Sequence, residues 1–99
     1  MPNRITRRDL DGLVRRLNIT TGHPTEPYTK QPDGSYTPNA GAFLLSGAYG
    51  GWSLHQMAEE GTGERDVLYS GHVPARELYS RIDAYLRGLD DAAAVGAVR

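Results

Sequence analysis

The chain contains no cysteine, which removes disulfides, thiolate nucleophiles and thiolate metal ligands together. It has almost no lysine: ten of its eleven basic residues are arginine. With glycine and alanine also abundant, that bias reads as GC-rich coding rather than as function. Acidic and basic residues balance to a net charge of −1, so no whole-molecule field recruits nucleic acid or an anionic membrane. Long apolar runs are missing too. Nothing approaches the ~18 apolar residues of a membrane span, and the opening MPNRITRRDL lacks the apolar segment of a secretion signal. These absences predict a cytoplasmic protein, and 99 residues predict one domain.

What is present is concentrated in Gly41–Ala58, GAFLLSGAYGGWSLHQMA. Two runs free of proline and charge flank Gly50-Gly51, a pair suited to a two-residue hairpin loop because glycine accepts positive φ. That loop sets Tyr49 opposite Trp52, Gly47 opposite Leu54, Leu45 opposite Gln56 and Phe43 opposite Ala58. Side chains alternate along a strand, so Phe43, Leu45, Tyr49, Trp52 and Leu54 share one face. The other face carries Ala42, Leu44, Ala48 and Met57 among the polar Ser46, Ser53 and His55. One side suits a core and the other is mixed, as in a sheet covered by helices on one side.

Thr6 and Asp9 form a capping-box pattern before Leu10, Leu13, Val14 and Leu17, which lie at i, i+3, i+4 and i+7 of a first helix. The stretch Asn18–Gly22 is expected to end it. Residues 23–40 read as a long loop or a short hairpin, with Gln31-Pro32-Asp33-Gly34 as the turn between Tyr28–Lys30 and Ser35–Thr37. Asp66–Gly71 (DVLYSG) reads as a third strand, with Tyr69 in the core. Pro74 suits the first turn of a second helix, whose stripe is Leu78, Ile82, Tyr85, Leu86 and Leu89. Gly88 reads as its cap and residues 90–99 as a frayed or disordered tail. The expected fold is α+β in the order α-β-β-β-α, a three-stranded antiparallel sheet with both helices on one face. That topology is similar to the double-stranded-RNA-binding fold. A lysine cluster opens the last helix of that family, where this chain has Pro74-Ala75-Arg76-Glu77.

No motif announces an enzyme. The glycines of Gly47–Gly51 lack the lysine and the following helix of a phosphate loop. His23, His55 and His72 match no metal-ligand spacing, and Ser70-Gly71-His72 has neither an orienting carboxylate nor an oxyanion hole in view. No catalytic residue, cofactor or metal is therefore expected. Two surfaces remain. The mixed sheet face, through Leu44, Ser46, Ser53, His55 and Met57, suits contact with another protein. The arginines Arg4, Arg7, Arg8, Arg15 and Arg16 around the first helix offer an alternative, with Arg8 and Arg15 on one flank able to bridge phosphates.

Three runs, Leu13–Asn18 (LVRRLN), Gly47–Trp52 (GAYGGW) and Ser70–Leu89 (SGHVPARELYSRIDAYLRGL), resemble those of a family of small, functionally uncharacterised proteins of actinobacterial bacteriophages. The resemblance spans most of residues 10–89. It implies a phage setting and a host-cell cytoplasm, and it brings no catalytic residues. The sequence thus predicts a non-enzymatic phage accessory protein acting by protein–protein contact, with itself or with a host or phage protein. Nucleic-acid binding through the arginine-rich helix is the alternative.

Overall fold

The structure, a computed structural model, describes residues 4–58 and 63–98. Helix α1 (Arg7–Thr21) opens on its capping box: Thr6 Oγ1 accepts from the Asp9 amide at 3.3 Å, and Asp9 Oδ2 accepts from the Thr6 amide at 2.8 Å. Its buried stripe is Leu10, Leu13, Val14 and Leu17, joined by Asn18. The helix runs past Asn18 and closes at Gly22, in the left-handed conformation (φ 75°). The Gly22 and His23 amides return to the Ile19 and Asn18 carbonyls.

Residues 23–40 do contain the hairpin. β1 (Tyr28–Lys30) pairs antiparallel with β2 (Tyr36–Pro38), one residue later than the turn pattern predicts. Asp33 accepts from the Ser35 amide inside the turn, and Gly34 takes φ 90°. This hairpin is a sheet of its own. Among the described residues the order is therefore α-β-β-β-β-β-α with two antiparallel sheets. The α+β class stands, but the single-sheet order that prompted the comparison with double-stranded-RNA-binding proteins is not what the chain adopts.

The main sheet has the order β3-β4-β5, built from β3 (Phe43–Ala48), β4 (Gly51–Met57) and β5 (Glu64–Asp66). Its hairpin turns on Tyr49 and Gly50 (φ 54° and 72°), not on Gly50-Gly51, so Trp52 faces Gly47 and Leu54 faces Leu45. Two close contacts, one across the hairpin and one to a distant segment, suit this register. A Cβ on Gly47 would lie 2.9 Å from Trp52 Cζ3, so the ring occupies the space that glycine leaves. A Cβ on Gly51 would lie 2.9 Å from the Val73 carbonyl, so Gly51 is reserved for a close backbone approach. The slip is two positions on one strand, which keeps every side chain on its expected face. Only Tyr49 changes place: it leaves the sheet for the turn and is 97% exposed.

The third strand also differs from expectation. β5 begins at Glu64, and the chain then leaves the sheet at Leu68–His72 and rejoins it through a bridge from Val73 to Trp52. Tyr69, expected in the core, sits on this excursion with φ 55° and is 87% exposed. Helix α2 (Ala75–Val98) contains Gly88 in its interior and continues beyond Leu89 through three consecutive alanines, the best helix formers. Helix α1 packs on β3, α2 packs on β4, and the helices pack on each other. The core between them joins Leu10, Leu17, Phe43, Leu54, Val67, Leu78, Ile82 and Leu86, with Trp52 half-buried at its rim.

Candidate interaction surface

The sheet's other face is assembled from three strands and the excursion. Cross-strand pairing sets Leu44 beside His55 and Ser46 beside Ser53, while β5 brings Asp66 opposite His55 and Glu64 opposite Met57. The five residues expected on this face are thus together, but not equally accessible. Ser53 and Met57 are buried, so a substitution at Met57 would break packing rather than probe a surface. Leu44, Ser46 and His55 are half-buried. Glu64 and Asp66 were not foreseen, because a three-residue charged strand leaves no hydrophobic pattern to read.

Histidine 72 completes the surface. The excursion carries its ring back over the sheet, where Nε2 lies 3.0 Å from Ser46 Oγ. The His55 ring is 6.1 Å away between centroids, and Tyr49 meets His72 edge-on at 5.8 Å. His55 Nδ1 is 2.6 Å from Glu64 Oε1. Asp66 holds the excursion in shape by accepting from the Leu68 and Gly71 amides at 3.2 and 2.9 Å. Burial raises the Asp66 pKa, but the Gly71 amide, the Ser53 hydroxyl, the Leu68 amide and nearby His55 together leave it below the ordinary carboxylate value. Ser53 Oγ makes no hydrogen bond of standard geometry; its hydroxyl nevertheless lies close enough to favour the Asp66 carboxylate.

Ser70 and His72 do not pair. Ser70 Oγ donates to the Gly71 carbonyl, and His72 turns to Ser46 instead. Among the described residues nothing orients the other nitrogen of His72, which a serine nucleophile would require. His23 lies elsewhere: it packs edge-on against Phe43 at 5.6 Å, is held by Thr21 Oγ1, and fills the space over Gly41. Among the described residues no three His, Cys, Asp or Glu side chains converge to hold a metal ion.

The arginines are divided among several tasks. Arg7 lies 5.5 Å over the Trp52 ring and 3.7 Å from Asp11, and Arg16 lies 3.7 Å from Asp90 of α2. These exposed pairs are worth a few tenths of a kcal/mol each. Arg4, Arg8 and Arg15 are exposed and have no ion pair among the described residues. The five therefore do not form one continuous basic face.

No family model matches the chain, and neither a curated protein nor a solved structure matches it significantly. No described helix is long and apolar enough to cross a membrane.

Proposed function

We propose that this chain is a non-enzymatic accessory protein that acts by protein–protein contact, through the surface where the β3–β4 turn and the Leu68–His72 excursion meet. The observation that carries this reading is the pair Tyr49 and Tyr69. Both are almost wholly exposed, and both hold the left-handed backbone conformation that a bulky side chain avoids. Two local strains of this kind, each on the order of 1–3 kcal/mol, persist where the surroundings enforce them and cluster at functional sites. Tyrosine is also a residue that interfaces favour, since its ring buries area at small entropic cost while its hydroxyl stays solvated. Leu44 and His55 supply a mixed floor beside His72, which the Tyr49 ring meets edge-on. On the bacteriophage resemblance, the partner would be a phage or host protein.

The test is affinity capture from an actinobacterial lysate with the native chain, Tyr69→Ala and Leu44→Asp, each with and without nuclease. The expected result is a protein retained by the native chain, lost by both variants and indifferent to nuclease. Identical retention by all three chains would remove the proposal. A nuclease-sensitive, salt-sensitive capture would transfer it to the alternative, nucleic-acid binding through Arg4, Arg8 and Arg15.

A further inference from the structure

The main sheet has two outer edges; that of β5 is three charged residues long, while that of β3 is longer and uncharged. Residues of an antiparallel strand point their N–H and C=O alternately to the two sides. Ser46 and Ala48 face β4 in this hairpin, so Phe43, Leu45 and Gly47 face outward. At Phe43 the edge is closed by a side chain. Asn18 Oδ1 accepts from the Phe43 amide at 2.7 Å, and Asn18 Nδ2 donates to its carbonyl at 3.0 Å. Leu45 and Gly47 have no corresponding partner among the described residues. The β4 edge on the opposite side is paired along its length, by β5, Val67 and Val73.

Edge strands normally carry charge, proline or a bulge that discourages pairing with another chain. Strand β3, FLLSGA, carries none of these. Beside Leu45 a groove of about 400 Å³ is lined by α1 and residues 25–27, and a second hollow of about 460 Å³, lined by Gly47 and Trp52, shares Arg7 and Leu45 with it. The groove's rim has Arg7 and Arg15 against Asp11 and Glu26, so its charges cancel.

We infer that this edge pairs with the same edge of a second copy, antiparallel about a two-fold axis at Ser46. The register follows from which groups are free. Leu45 falls opposite Gly47 of the second copy, and Gly47 opposite its Leu45, giving about four backbone hydrogen bonds across the axis. Phe43 then falls opposite the second copy's Tyr49, which is already in the turn and offers no strand to pair with. The position that Asn18 closes is thus the position at which the second strand has ended. The second copy's Gly47 and Ala48 enter the walled part of the groove, where small residues fit, and each Leu45 lies beside the hollow at Gly47. This inference rests on the reading of the chain as a contact protein; its edge adjoins the other surface at Leu44 and Ser46, and Tyr69→Ala, which alters neither residue, lets the two fail separately.

The chain lacks cysteine, which makes a direct test available. In the inferred register the two Ser46 residues are a non-hydrogen-bonded pair with Cα atoms about 4.5 Å apart, within the reach of a disulfide. Ser46→Cys is oxidised in dilute solution alongside Thr37→Cys, an exposed control on β2. A covalent dimer of Ser46→Cys forming about tenfold or more faster than that of the control is expected, because the strand pair raises the effective concentration. Sedimentation equilibrium of the native chain from about 10 μM to about 1 mM should show a monomer–dimer equilibrium. Leu45→Pro, whose missing N–H faces outward and leaves the β3–β4 ladder intact, should be monomeric with an unchanged far-ultraviolet spectrum. Equal cross-linking rates, or a native chain that stays monomeric throughout, overturns the inference. Tyr69→Ala, remote from this edge, should cross-link normally in the Ser46→Cys background even if it loses all other partners.

Discussion

Replacing Asn18 with alanine isolates the contact that ties α1 to the sheet. The side chain is fully buried and its amide satisfies both backbone groups of Phe43, a residue 25 positions away. Removing it leaves a buried N–H and a buried C=O unpaired, each costing about 1–3 kcal/mol, and adds a small cavity. The expected loss is therefore about 3–5 kcal/mol, a large share of the 5–15 kcal/mol typical of such a domain. Urea denaturation should show a lower midpoint with the slope unchanged, and the Phe43 amide should exchange far faster in deuterated solvent. Asn18→Asp is the informative companion. A carboxylate can still accept from the Phe43 amide, but it sets a negative oxygen against the Phe43 carbonyl, so it should be no more stable than the alanine variant. A cost below about 1 kcal/mol for Asn18→Ala, the value for an exposed helical site, would refute this account of the tie.

Tyr49→Asn should raise stability by about 1 kcal/mol, roughly 5 °C in melting temperature, because asparagine tolerates the left-handed position of this turn. The same change should weaken partner capture; a melting point that does not rise would show the backbone there to be unstrained. Gly51→Ala should cost about 2–3 kcal/mol, since its Cβ meets Val73 backbone, whereas Gly47→Ala should cost about 1 kcal/mol because the Trp52 ring can tilt. Reversed denaturation midpoints for these two variants would contradict the packing described. Because the folded pKa of Asp66 lies below its ordinary value of 3.8, its contribution to stability is complete above that pH and is lost as the pH falls through the lowered value. Asp66→Asn should accordingly flatten the decline in melting temperature below about pH 4, and an unchanged acid limb would argue against that linkage.

Periodicity sufficed for the helices, since Leu10 to Leu17 and Leu78 to Leu86 are buried where their spacing puts them. It also sufficed for the faces of the central hairpin, because alternation survives a two-residue slip. The turn itself was not legible. Gly50-Gly51 satisfies local turn grammar better than Tyr49-Gly50, and the register adopted is the one that suits Val73 and Trp52 pressing on Gly51 and Gly47. Tyr69 misleads for a related reason: DVLYSG alternates like a strand, but the Asp66 carboxylate captures the Leu68 and Gly71 amides and turns the chain outward. Asn18 looked like a helix terminator, and its role depends on a strand brought to it by tertiary structure. Of the candidate surface, the residues on β3 and β4 follow from alternation alone. The contributions of Tyr49, Asp66, Tyr69 and His72 arise only once the excursion is folded.

The chain leaves the β4 edge after Val67 and returns to it at Val73, fastened at both points by main-chain hydrogen bonds. The five residues between those fastenings are therefore a cassette: apart from Leu68, which packs on the core, their side chains can change without disturbing the ladder on either side. A lineage under pressure to change what it binds has, in that segment, a place to do so at little risk to folding. Tyr69 and His72 would then be among the first residues to diverge, while Val67 and Val73 stay apolar.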